Sequence, residues 1–338
     1  MKNSKITKVL ALALTAVLSV GMLAGCGGGS SSSGQSGQAS GGSGGTLTMG
    51  TGGESGTYYA FGGVLANYIG QKTDVKINVV SSGGSAANIS DISNKTVELA
   101  TVQSDVMTYA FNGTNSFAES GAVKDFRVLV GLYAETVQII TCDPSITSVA
   151  DLKGKNVCVG DVGSGTYYNT IDVLTAYDMT IDDIKPIYQS FGDSAESLKD
   201  GKIDAAFLCA GAPTNAVTDL ATSKPVYVVS IDDEHLNKIL ADCPWYSALT
   251  IPAGTYATFN EDATTITVKA TLICSADLPE DTAYTITKTI YEGNTDIAAL
   301  HAKGEELSTE FATEGIAVPF HAGAAKYFAE KGLTVESN

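Results

Sequence analysis

Short hydrophobic runs punctuate the chain from residue 47 onward. They predict strands at Leu47–Gly50, Lys76–Val80, Leu99–Val102, Arg127–Leu132, Val137–Cys142, Asn156–Gly160, Ala205–Cys209, Val226–Ser230 and Thr265–Cys274. Between most of them the apolar positions take helical spacing over roughly 8–15 residues. Thr57–Gln71, Thr166–Tyr177 and Thr214–Ala221 are examples, and Pro279–Gly332 is mostly helical in pattern. Strand–helix alternation of this kind predicts an α/β protein with largely parallel sheets.

One internal echo refines that picture. Ser55-Gly56-Thr57-Tyr58-Tyr59 and Ser164-Gly165-Thr166-Tyr167-Tyr168 are the same pentapeptide, 109 residues apart. Each follows a predicted strand and a Gly-rich turn, and each opens a predicted helix. Two like βα units imply two similarly built lobes. The chain is expected to build lobe one over 46–137, lobe two over 138–250, and to return to lobe one over 251–338.

The N-terminus follows a different logic. Lys2, Lys5 and Lys8 precede the largely apolar Val9–Leu23, and Leu23-Ala24-Gly25-Cys26 closes the segment. The apolar stretch is too short for a transmembrane helix. Residues 1–25 are therefore expected to be a lipoprotein signal peptide with Cys26 the lipidated residue, since Leu-Ala-Gly-Cys resembles a lipobox. Of the 19 residues in Gly27–Gly45, 16 are Gly or Ser. Residues 26–45 thus read as an anchor plus flexible tether, and the protein as bacterial, extracytoplasmic and held at the outer face of the cell membrane.

Charge narrows the partners. The 338 residues carry 20 Lys+Arg against 37 Asp+Glu, a net charge of −17, and Arg127 is the single arginine. Removing three leader lysines leaves 17 against 37, or −20. Such a chain lacks the basic surface that nucleic acid demands. Past Cys26 the cysteines (142, 158, 209, 243, 274) are odd in number and show no metal-like spacing, so at least one thiol is free.

Signals for enzyme chemistry are thin. His235, His301 and His321 lie away from every Gly-rich turn, and the one G-x-S-x-G falls in the tether. The Ser-Gly-Thr turns suggest binding instead. A helix start offers unpaired N–H groups and partial positive charge, glycine admits close approach, and hydroxyls add donors. Thr57, with Gly163, Ser164, Gly165 and Thr166, would hold an anion. Ser85, Asn88 and Gln103, after other strands, would read polar groups on the ligand. Gly211 and Pro213 form the matching element in lobe two, with Tyr58 and Trp245 closing the apolar side. Hinge motion is expected around 134–138 and 250–256. A secreted hydrolase, or a sensing module serving a signalling partner, stays open as an alternative.

Several motifs occur in order: Gly-Thr-Gly-Gly-x-x-Gly-Thr-Tyr-Tyr (50–59), Gly-Gly-Ser-Ala-Ala-Asn (83–88), Val-Gln-Ser-Asp (102–105) and Asp-Leu-Lys-Gly-Lys (151–155). Val-Gly-Ser-Gly-Thr (162–166), Asp-Gly-Lys-Ile-Asp-Ala-Ala-Phe (200–207), Ile-Pro-Ala-Gly-Thr-Tyr (251–256) and Val-Pro-Phe-His-Ala-Gly-Ala (318–324) follow. The series resembles the TAXI family, the solute-binding proteins of a class of TRAP transporters. That resemblance implies a type II periplasmic-binding-protein fold, two α/β lobes with a ligand cleft between them, and no catalysis. It implies a small carboxylate ligand, such as glutamate, glutamine or a 2-oxoglutarate-like dicarboxylate, passed to an ion-gradient-driven TRAP permease. No cofactor or metal is implied, and a monomer is expected. Ala60 stands where the family commonly has Pro.

Overall fold

The computed structural model describes residues 45–337. The predicted signal peptide, Cys26 and all but the last residue of the tether lie outside the described residues. Among those described, no helix is long and apolar enough to cross a membrane.

Ten strands form one sheet: β1 (Leu47–Gly50), β2 (Ile77–Val80), β3 (Leu99–Gln103), β4 (Phe126–Thr141), β5 (Asn156–Cys158), β6 (Lys185–Ile187), β7 (Ala205–Ala210), β8 (Tyr227–Val228), β9 (Ser247–Ile251) and β10 (Ala263–Ser275). Their order is β2-β1-β3-β10-β4-β7-β5-β6, with β8 added to β4 and β9 to β10. The outer strands pair in parallel, β1 with β2 and β3, and β5 with β6 and β7. The two long central strands run antiparallel to their neighbours. Helices α1 (Thr57–Lys72), α2 (Ser85–Ser93) and α3 (Ser104–Asn112) flank the first set of strands, and α4 (Thr166–Ala176), α5 (Phe191–Lys199), α6 (Asn215–Ala221) and α7 (Asp233–Asp242) accompany the second. The chain finishes with α8 (Glu280–Glu292), α9 (Asn294–Leu300), α10 (Thr309–Thr313) and α11 (Ala322–Glu330), as the helical pattern there predicts.

Three apolar cores sit on this sheet. One gathers side chains from β1, β3, the first half of β4, the last part of β10 and the C-terminal helices. The other two divide the faces of the second half: Ala205, Phe207 and Cys209 of β7 enter one, Ala206 and Leu208 the other. Successive strand residues point to opposite faces, so one strand serves both cores.

The crossings between lobes differ from expectation in two ways. The two strands predicted at 127–132 and 137–142 are one 16-residue strand, β4. It passes from the first core at Tyr133 to the second at Val137. The return lies on β10, between Val268 and Ala270, rather than near 250. Ile251, Tyr256, Phe259 and Ala263 pack with the second lobe's cores because β9 pairs with β10 before that strand crosses back. The crossing segments lie side by side, Glu135 opposite Val268 and Tyr133 opposite Ala270, with a register shift after Ala270.

Candidate ligand-binding site

Four helix starts converge where the lobes meet. Helix α1 begins after Gly56, whose extended φ −97°, ψ 164° leave the first turn without a side-chain cap. Helix α2 follows Gly84 at φ 102°, a conformation that favours glycine, and is also uncapped by a side chain. Helix α4 follows Gly165; there Ser164 Oγ accepts the Thr166 N–H at 3.0 Å. Helix α5 is capped by Ser190, whose Oγ accepts from the Asp193 N–H at 3.2 Å. With Gln103 at the end of β3, Glu135 on β4 and Cys209–Ala210 at the end of β7, these starts line one cavity. Its position beyond the carboxyl ends of parallel strands is where open α/β sheets bind ligands.

The cavity volume is about 50 Å³, room for roughly four ordered waters. A wider groove of about 700 Å³ adjoins it, sharing Gly53 and Ser190 and continuing past Glu54, Asp193 and Asp219.

Direct hydrogen bonds hold the lobes in this arrangement. Thr57 Oγ1 donates to Gly211 O at 3.0 Å, and the Ala86 and Ala87 N–H groups donate to Gly163 O at 3.0 and 3.3 Å. Gln103 Nε2 donates to Asn169 Oδ1 at 2.9 Å, while Asn169 Nδ2 donates to Asp105 Oδ2 at 3.1 Å. Gly165 lies so close to the Gln103 amide that an added Cβ would overlap Gln103 Oε1.

The electrostatics are unusual for an anion site. No lining residue is basic, and two, Glu135 and Asp161, are acidic. Glu135 is 2% exposed and accepts the Tyr58 hydroxyl on Oε2 at 2.5 Å. Burial holds its carboxyl well above the usual carboxylate range, with the tyrosine bond pulling the other way. Behind Gln103, burial raises Asp105 to about 7 and Asp172 to about 6. Arg127 is elsewhere, its Nη1 donating to Lys124 O and Phe126 O at 2.8 and 2.7 Å. The histidines are engaged in other structure: His235 against Asp232 and stacked on Tyr177, His301 and His321 at helix starts.

Of the residues singled out by sequence, Thr57, Tyr58, Ser85, Gln103, Ser164, Gly165 and Thr166 share this cavity. The structure does not place Asn88, Gly163, Gly211, Pro213 or Trp245 on its wall. Asn88 is fully buried, and its amide donates to Thr51 O and Thr101 O, tying α2 to β1 and β3. Gly163 and Gly211 use their carbonyls as the interlobe acceptors described above. Pro213 faces solvent. Trp245 packs edge-on against Tyr109, with ring centroids 5.3 Å apart, as a core residue would. Sequence reasoning missed Glu135, Cys209, Ser190 and Phe191. Glu135 carried a signal: it and Arg127 are the only charged residues in a 16-residue apolar strand.

The sequence profile of the NMT1-like family matches residues 49–332. The chain belongs to the NMT1-like family. Among solved structures, a protein from Bordetella bronchiseptica RB50 is similar at TM-score 0.53 and 15% identity, over 84% of this chain and 88% of that one. The periplasmic aliphatic sulphonate binding protein SsuA from Escherichia coli matches at TM-score 0.43 and 16% identity, over 85% and 90%. A putative L-cystine ABC transporter protein from Listeria monocytogenes matches at TM-score 0.47 and 15% identity, over 77% and 94%. The curled, helix-flanked sheet is the α/β architecture that the strand–helix alternation predicts.

Proposed function

We propose that this NMT1-like chain is the solute receptor of a TRAP transporter of the TAXI type. It captures a small carboxylate between its lobes and delivers it to an ion-gradient-driven permease. Lipid on Cys26 holds it outside the cell membrane, and lobe closure rather than chemistry is its working step. The observation that carries this reading is the meeting of Gly56-Thr57 and Ser164-Gly165-Thr166, from opposite lobes, on one cavity. The uncapped start of α1 and the hydroxyls there suit a carboxylate without any basic side chain. The diffuse surface charge opposes this only weakly, being screened beyond about 8–10 Å.

The test is thermal shift and calorimetry on the mature chain with C4–C6 dicarboxylates and acidic amino acids, alongside mass analysis of copurified ligand. A rise in melting temperature with one of these acids is expected. If none binds and none copurifies, the carboxylate-receptor reading fails. Turnover of any of them would favour the hydrolase instead.

A further inference from the structure

Glu135 has no role in the apolar packing that builds β4, yet it points into the binding cavity. Among the described residues its one donor is the Tyr58 hydroxyl. Lys303, a cation whose charge reaches Glu135, is already matched by Glu306 at 2.7 Å. A buried carboxylate left so is costly unless a further positive or donating group meets it.

A second acceptor faces the same space. Gln103 is 2% exposed, and its Oε1 has no hydrogen-bond partner among the described residues. Its amide orientation is fixed by its neighbours. Asn169 Nδ2 donates to Asp105 and to the Tyr246 hydroxyl, so Asn169 presents its oxygen to Gln103, which must answer with its N–H₂. The Gln103 oxygen is thereby left at the cavity, beside Gly165.

The cavity therefore has two kinds of wall. Helix starts and hydroxyls offer donors; Glu135 and Gln103 Oε1 offer acceptors, one of them able to carry a full charge. Building on the receptor reading above, we propose that the ligand bears a protonated primary amine beside its carboxylate, an α-amino acid rather than a 2-oxo acid, with Glu135 and Gln103 Oε1 accepting the ammonium N–H groups. A 2-oxo acid brings only acceptors to this end. It would leave Gln103 unmet and bring Glu135 no cation to stabilise its charged form. The Tyr58 hydroxyl holds the carboxylate of Glu135 in place and acts as a positioning residue.

Matched pairs test this: L-glutamate with 2-oxoglutarate, L-glutamine with 2-oxoglutaramate, and L-leucine with 4-methyl-2-oxopentanoate, titrated into the mature chain in detergent by calorimetry. At least one amino acid should bind, and its oxo partner should bind at least about tenfold more weakly. Glu135→Gln should shrink that preference to within about threefold by weakening the amino acid and not the oxo acid. If thermal melting shows that Glu135→Gln does not fold, Glu135→Asp, which withdraws the carboxylate by one methylene, should shrink the preference in the same direction. An oxo acid that binds as tightly as its amino acid overturns the amine inference while leaving the carboxylate receptor standing. A preference undiminished in the folded variant overturns the role of Glu135. If no member of any pair binds, the receptor reading falls and the amine inference with it.

Discussion

The two Ser-Gly-Thr-Tyr-Tyr turns are identical in sequence and unlike in use. At the first, Gly56 has tight but not closed space around it: an added Cβ would meet Gly53 O at 3.2 Å and Phe191 at 3.5 Å. Its Tyr58 reaches the cavity and holds Glu135. At the second, Gly165 is pressed against Gln103 with no room for any side chain, while Tyr167 packs edge-on against Tyr168 and tilted against Tyr188. One turn presents a side chain; the other presents bare backbone. Repetition in a sequence thus marks equivalent places in two lobes, and the opposite lobe decides what each place does.

Breaking that asymmetry should have its largest effect at Gly165. Gly165→Ala should force Gln103 from its bond to Asn169 and weaken ligand affinity by about 100-fold, against a few-fold at most for Gly56→Ala. Titration calorimetry of the two variants decides; equal losses would mean the turns are interchangeable.

A smaller effect comes from the acids behind the second turn. The folded carboxyl of Asp105 titrates at about 7, because burial penalises its charge, against about 3.9 in an unfolded chain. The folded state therefore keeps a proton that the unfolded chain releases. This contribution to stability is complete below about pH 4 and lost as pH rises towards 7. Asp172, at about 6, acts in the same direction, and Asn169 and Tyr246 join the two acids. Melting temperature should fall by roughly 5 °C between pH 4.5 and 7.5. Asp105→Asn, which keeps an oxygen for Asn169, should flatten that slope; an unchanged slope in scanning calorimetry would place the titration elsewhere.

Next in size is Tyr58→Phe, which removes the donor from Glu135 and should cost about 1–3 kcal/mol in chemical denaturation. The equivalent Tyr167→Phe should stay within about 0.5 kcal/mol. The smallest contrast is between the serines. Ser164→Ala loses the acceptor for the Thr166 N–H and should cost about 1 kcal/mol, whereas Ser55→Ala should be near neutral by the same measurement.

Legibility in the sequence followed a physical division. Positions governed by local chemistry were readable: Gly, Ser and Thr ahead of a helical pattern placed the starts of α1, α2 and α4, and through them six residues of the cavity. Positions governed by long-range pairing were not. Glu135 and Thr136 interrupt the apolar run of β4 enough to suggest two strands, because nothing local reveals the partners β7 and β10 that keep it extended. The return to the first lobe was hidden because β10 is apolar on both sides of its crossing, one buried environment succeeding another. Asn88 was misplaced for a related reason. A polar residue at a helix start reads the same whether it faces ligand or two distant carbonyls.

The two crossing strands lie adjacent and hydrogen-bonded, Glu135 level with Val268, instead of running as separate linkers. A two-stranded ribbon flexes across its thin direction and resists shear within its plane, and the register shift beside Ala270 gives it a preferred place to bend. Opening of the lobes is then expected to bend this ribbon, and a pair of fluorescent labels, one on each rim of the groove, would report it.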